Sequence, residues 1–200
     1  MKLTTNIAYI LIAGLFAASA AQATPTAYSN IGTINPVNYT FTAASTGDIM
    51  AYFAGSTAGY DNTLGLLVNG IDTGINGLDD HTSVYGQQLN FGNVNAGDVL
   101  TFKLNVLSTG NTWYSNRALN SDQTNHIYSN SYAGDIQIPA GTYVAFEDVR
   151  IPGADLNYHD ENFVFTNVQA SNAVPVPATT LLMGLGLLAM SVFAKRKTQE

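Results

Sequence analysis

The chain has 200 residues, no cysteine and only 10% charged side chains, with 14 acidic against 7 basic residues and a formal net charge of −7. That length fits one domain plus targeting segments. The lack of cysteine excludes disulfides and thiolate chemistry, and the acidic balance excludes a nucleic-acid partner held through phosphate contacts.

Residues 1–23 read as a secretory signal peptide. Lys2 forms a positive start, Ile7 to Ala18 an apolar centre, and Ala21-Gln22-Ala23 a small-x-small cleavage site, so the mature chain is expected to begin at Thr24. From Thr24 to Pro177 there are 13 acidic and 3 basic residues, a net −10. Such a surface repels nucleic acid and anionic lipid and attracts cations.

Val37 to Thr42 alternates apolar and polar residues, which predicts a strand with one face inward. Thr46-Gly47-Asp48 supplies a turn, and Ile49 to Ala54 reads as a mostly buried strand. Leu64 to Val68 is a third strand. Asn69-Gly70 follows, a two-residue hairpin signal because both residues tolerate positive φ. Asn76 to Gln88 is polar and reads as a loop. Val99 to Leu107 is the clearest strand, with Leu100, Phe102, Leu104 and Val106 on one face and Thr101, Lys103 and Asn105 on the other. Ser108 to Ser131 reads as a long Asn-rich loop with one short strand. Ile136 to Ile138, Tyr143 to Phe146 and Phe163 to Val168 complete about eight strands, the spacing of an all-β fold. The predicted fold class is all-β: a two-sheet antiparallel β-sandwich, jelly-roll-like, over residues 24–173.

Beyond Ala173 the composition changes. Val174-Pro175-Val176-Pro177 is a stiff, extended linker. Ala178 to Ala194 is an uncharged apolar run, followed by Lys195-Arg196-Lys197. As a helix at ~1.5 Å per residue the run spans roughly 26 Å, near the thickness of a hydrocarbon core. The basic cluster would then sit on the cytoplasmic side. A transmembrane sorting helix is therefore expected in residues 174–200.

This tail resembles the PEP-CTERM sorting signal of Gram-negative bacteria, which has a Pro-Glu-Pro motif, a short membrane helix and a terminal basic cluster. Pro175, Pro177, Ala178 and Thr179 match it, and Val176 stands where the family has glutamate. The resemblance implies recognition by an exosortase and the secretion machinery, transient anchoring in the inner membrane through the C-terminal helix, and delivery to the cell surface or the extracellular space. It also implies a link to exopolysaccharide and biofilm. The processing residues are then Ala23 at the front and Pro175, Pro177 and Ala178 at the back. A second stretch, Phe146-Glu147-Asp148-Val149 with Asp155-Leu156-Asn157-Tyr158-His159-Asp160, is similar to the signature of a secreted bacterial domain family of unknown function. That resemblance implies a β-sandwich and calcium.

Glu147, Asp148, Asp155, Asn157 and Asp160 are the candidate metal ligands. Asp148 should follow Val144 and Phe146 on one side of their strand, and Phe163 and Phe165 should pin the other end of the loop nearby. Carboxylates so crowded repel one another unless a proton or cation intervenes, and calcium suits such oxygen donors. The alternative is a solvated acidic loop whose Asp and Asn side chains cap their own turns. Nothing in the sequence sets a carboxylate in an apolar pocket, as a glycosidase acid requires. Ser83 near His81 and Asp79 lacks a G-x-S-x-G elbow. Trp113 and Tyr114 offer rings that a sugar face can stack on, although a lone tryptophan of this kind more often fills core or loop packing. No catalytic residue is assigned. The chain thus reads as an exported, non-enzymatic surface or extracellular-matrix protein. The alternatives are a calcium-assisted carbohydrate-binding module and a secreted glycoside hydrolase.

Overall fold

The computed structural model describes residues 27–173. The expected signal peptide and the expected sorting helix lie outside the described residues. Eleven strands run in order: β1 (Asn38–Ala43), β2 (Gly47–Ser56), β3 (Asn62–Val68), β4 (Ile71–Gly77), β5 (Gln88–Val94), β6 (Val99–Val106), β7 (Asn111–Tyr114), β8 (Ile127–Tyr132), β9 (Gly141–Phe146), β10 (Glu161–Thr166) and β11 (Val168–Ala173). A short 3-10 turn, Arg117–Leu119, follows β7.

Every pairing is antiparallel. One sheet has the order β11-β1-β6-β3-β4 and the other β5-β2-β10-β9-β8. Strand β6 shares one edge between two neighbours: β1 pairs with its first residues, Val99 and Leu100, and β7 with Lys103 to Val106. The hairpin at Asn69-Gly70 forms as expected. Both residues take positive φ, 51° and 81°, and Val68 pairs with Ile71.

The alternation along each strand decides the core. Phe41, Leu64, Leu66, Leu100, Phe102 and Leu104 of the first sheet meet Ile49, Phe53, Val144, Phe146, Phe163 and Phe165 of the second. Phe102 stacks on Phe165 with ring centroids 3.8 Å apart, which fixes the two sheets face to face. A second apolar cluster covers the outer face of the second sheet. There Tyr143, Ala145 and Val164 pack against Tyr28, Ile138 and Tyr158, which arrive from loops.

Four expectations change. Phe163 to Val168 is not one strand: Asn167, at φ 61°, turns the chain out of β10 and into β11 of the opposite sheet. Ile136 to Ile138 is a bend, not a strand, because the Asp135 carboxylate accepts the N–H groups of Gln137 and Ile138 at 2.8 and 2.7 Å. The stretch expected as loop from Ser108 to Ser131 contains β7 and most of β8, and β4 and β5 flank the loop after Gly77. These strands carry Asn, Ser and Gly, whose local preference for turns is overridden by pairing. Thr101 and Lys103 lie on the outer face of β6 yet are only 7% exposed. The Lys103 stem lies across Gly65, where a Cβ would collide with it, and its Nζ pairs with Asp72.

Candidate functional site

The acidic loop between β9 and β10 is held at both ends by strand pairing and in the middle by Tyr158. Phe146 pairs with Glu161, and Asp160 N–H donates to Phe146 O at 3.1 Å. The Tyr158 hydroxyl accepts Asn35 N–H at 2.9 Å and donates to Asn125 O at 3.2 Å, while its ring meets Tyr28 edge-on. Leu156 and Tyr158 both have positive φ, 58° and 53°, an uncommon conformation that this anchoring maintains.

Glu147 and Asp148 are neighbours on extended chain, and their side chains part to opposite faces. Glu147 is 1% exposed, and one of its carboxylate oxygens accepts Tyr158 N–H. Its other oxygen, Oε2, is buried with no partner. Burial, with the nearby Asp155 charge, pushes its pKa up to about 7. Asp148 is 3% exposed, and its Oδ2 accepts Asn62 Nδ2–H at 3.0 Å, bridging to β3 in the other sheet. Asp160 lies between the two: its Oδ2 accepts Asp148 N–H at 2.9 Å. Burial, then the charges of Asp148 and Glu147, holds Asp160 above the ordinary carboxylate range.

Asp155 and Asn157 stand apart from this group. Asn157 Nδ2 donates to Asp155 Oδ2 at 2.6 Å, and His159 N–H donates to Asn157 Oδ1 at 3.0 Å. Asp155 is exposed, and the pair shapes its own turn. An open cleft of about 340 Å³ joins the regions, lined by Tyr60, Glu147, Asp148, Asp155 and Asp160. The five candidate ligands therefore fall into an outer set and an inner set, with Asp160 between.

Three residues that the sequence reading did not assign belong to the inner set. Glu161 is completely buried, and neither of its carboxylate oxygens has a partner. Asn62 is completely buried, and its Oδ1 has none. Asp80, from the loop after β4, accepts Asn62 N–H at 2.7 Å. Two of them had a signal in the sequence. Asn62 stands two residues before Leu64, and Glu161 two before Phe163, so both are polar residues that begin an inward apolar row. Contrary to expectation, carboxylates do lie in desolvated surroundings. Burial, then the charges of Asp80, Asp79 and Asp148, raises Glu161 well above the usual range.

His81 Nδ1 lies 3.0 Å from Asp61 and 3.2 Å from Asp80, and Ser83 Oγ makes no hydrogen bond, so no Ser-His-Asp relay forms there. Ligand atoms of Asp79, Asp80 and His81 lie within 4.8 Å of one another. Trp113 fills packing rather than offering a ring to a sugar: it is 1% exposed and stacks on His126.

Strand β11 ends at Ala173, where the tail begins. Residues 173–197 match the PEP-CTERM protein-sorting motif. The chain carries a PEP-CTERM sorting motif. The matched stretch includes Pro175, Pro177 and Ala178, which, like Ala23, lie outside the described residues. A PEP-CTERM motif marks a chain for export and for processing by exosortase. No curated protein and no solved structure matches the chain.

Proposed function

We propose that this chain is a non-enzymatic component of the cell surface or extracellular matrix, cut from its membrane tail and associated with exopolysaccharide in a biofilm. The observation that carries the reading is the sorting motif, whose match begins at Ala173, the last residue of β11, so that processing of the tail would leave the sandwich whole. The signal peptide at residues 1–23 would start that route and a transmembrane helix within residues 178–194 would pause it. The nesting of β1 with β11 and of β2 with β10 supports a jelly-roll-like description of the sandwich. A structural role is supported by the burial of Glu147, Asp148 and Glu161, which puts their carboxylates out of reach of a polymeric substrate. Intact-mass measurement of the protein released by its native host tests the route. The expected mass begins at Thr24 and ends near Pro177. A released form that retains Lys195 to Glu200 overturns it.

A second reading is a calcium-assisted carbohydrate-binding module. It draws on the cleft in which Tyr60, 39% exposed, stands beside Asp155 and Asp160. Asp155 and Asp160, which line that cleft, would supply oxygen ligands there. Binding of purified host exopolysaccharide that requires calcium and is lost in Tyr60→Ala would favour this module over a purely structural role.

A further inference from the structure

We propose that the cleft between β1 and the turn after β7 binds a carboxylated sugar residue, a uronate, through the Arg117 guanidinium and the open main-chain edge of Tyr39. The inference deepens the surface role proposed above and rests on it only for the polymer that would supply such a residue.

The cleft follows from the way β6 divides one edge. β1 pairs with that edge at Val99 and Leu100, and in the same register Tyr39 would face Phe102. Phe102 is already taken: its C=O accepts Ser115 N–H at 2.9 Å, and its N–H donates to Ser115 Oγ at 3.0 Å. Ala43 N–H donates to Asp98 O at 2.9 Å and Ala43 O accepts Gly97 N–H at 2.8 Å, so both groups point toward β6. By the alternation of a strand, the N–H and C=O of Phe41 and Tyr39 point the same way. Tyr39 thus turns one donor and one acceptor into the gap. The gap has a volume of about 290 Å³, at the lower end of small-molecule sites.

The walls of the cleft are polar and fixed. Phe41 and Leu100 send their side chains into the core, so what they offer the cleft is backbone. Asn38, Thr40 and Thr101 alternate with core residues and stand on the outer face of the sheet. Asn38 Oδ1 has no hydrogen-bond partner. On the far side Asn120 closes the turn that carries Arg117. Its Oδ1 accepts Tyr114 N–H at 2.7 Å, and its Nδ2 donates to Tyr114 O at 3.1 Å and Thr124 O at 2.8 Å. Asn116 Oδ1 accepts Ala118 N–H at 3.1 Å. Arg117 therefore stands on a turn already ordered before any ligand arrives, which spares binding that cost.

Charge selects the ligand. From Thr24 to Pro177 acidic residues outnumber basic ones 13 to 3, yet no acidic residue lines this cleft. Arg117 is exposed and makes no ion pair among the described residues, whereas Lys103 is engaged by Asp72. A guanidinium without a counter-ion suits a carboxylate, which it can hold through two parallel N–H bonds. The Tyr39 N–H and C=O, with the side chains of Asn38, Thr40 and Thr101, are donors and acceptors of the kind that hold hydroxyls. A carboxylate on a hydroxylated ring of one sugar's size meets both demands. A peptide could also use the Tyr39 edge, but the polar side chains around that edge favour a hydroxylated ligand.

Saturation-transfer NMR on the full chain, in a mild detergent without a sugar headgroup, tests the site with D-glucuronate, D-glucose, acetate and the dipeptide Ala-Ala. Glucuronate should bind about tenfold more tightly than glucose or acetate. Arg117→Gln should weaken it about tenfold, and Thr40→Tyr, which crowds the cleft with Arg117 intact, should do the same. Arg150→Gln, at the other exposed arginine, should bind as wild type. Absence of glucuronate binding, or binding undiminished in Arg117→Gln or Thr40→Tyr, overturns the proposal. Tighter binding of Ala-Ala than of glucuronate overturns the sugar assignment. Purified host exopolysaccharide separates the site from the surface role. Polymer bound equally by wild type and Arg117→Gln, with no binding of glucuronate, overturns the site and leaves that role standing. Glucuronate held through Arg117 with no binding of the polymer keeps the site and removes exopolysaccharide from that role.

Discussion

Trp113 lies flat on His126, their rings 3.9 Å apart and within 6° of parallel. The imidazole is fully buried and spoken for on both nitrogens: Nδ1 lies 3.1 Å from Glu147 O and Nε2 2.9 Å from Asp122 Oδ2. His126 O in turn accepts Glu147 N–H at 2.9 Å, which prolongs the β8–β9 ladder into the acidic loop. The stack therefore supports the very residues at which that loop begins. His126→Ala would remove the stacking partner and leave the buried Asp122 carboxylate short of a hydrogen bond. We expect a loss of about 2–4 kcal/mol, measured by urea denaturation followed through Trp113 fluorescence. His81→Ala, at an exposed ring, should change stability by less than about 0.5 kcal/mol.

Phe102 is the centre of the core, stacked on Phe165 and edge-on to Phe41. Phe102→Ala and Phe146→Ala should each cost about 3–5 kcal/mol. Thr101→Ala, on the outer face of β6, should cost less than either, though its 7% exposure means more than a free surface change. Equal losses at Phe102 and Thr101 in chemical denaturation would contradict the inward row.

Asn167 makes the corner at which the chain changes sheets. Its Oδ1 accepts Ser45 N–H at 2.8 Å and Ser45 Oγ–H at 2.7 Å, and its Nδ2 donates to Ser45 O at 2.9 Å. The β1–β2 and β10–β11 crossings are thereby tied side by side. Asn167→Ala loses these bonds and places alanine at φ 61°, for an expected cost of about 2–3 kcal/mol. Asn167→Gly keeps the backbone at ease and loses only the bonds, so its cost should be smaller by about 1 kcal/mol. A glycine variant as unstable as the alanine one would show that the φ angle contributes nothing.

The metal-free chain should be more stable in mild acid than at neutral pH. Glu147 titrates at about 7 in the folded chain against 4.5 when unperturbed, and Asp160, Glu161 and Asp80 are shifted in the same direction, chiefly by burial. Between those values the folded state holds more protons than the unfolded one, so stability falls as pH rises. For Glu147 alone the change between pH 4.5 and pH 7 has an upper bound of about 3 kcal/mol. Asp122 is opposite in sign. Burial raises it, but hydrogen bonds from His126, Thr124 and Ile151 outweigh that and lower it, so its contribution is lost only below its usual range. Urea denaturation in chelator at pH 4.5, 6 and 8 should show the decline, and Glu147→Gln should flatten it.

Several features were legible because they are local. The row Leu100, Phe102, Leu104 and Val106 needs only the two-residue period of a strand, and Asn69-Gly70 needs only its own tolerance of positive φ. Strands such as Ile127–Tyr132 were not legible, since Asn130 and the serines beside it favour turns until β9 pairs with them. The acidic loop was legible as a place but not as an arrangement. Adjacent acids in the chain look like one site, while the pleat sends Glu147 and Asp148 to opposite faces.

The sequence by itself determined the export tail, the all-β class and the inward rows, because each rests on contiguous residues and their periodicity. Only the tertiary structure decided which carboxylates share an environment. Asn62 and Asp148 are 86 residues apart and meet because β3 and β9 lie in facing sheets. The same closure buries Glu161 with both oxygens unpartnered. Burial and proximity are properties of strand pairing across the chain, and no local pattern encodes them.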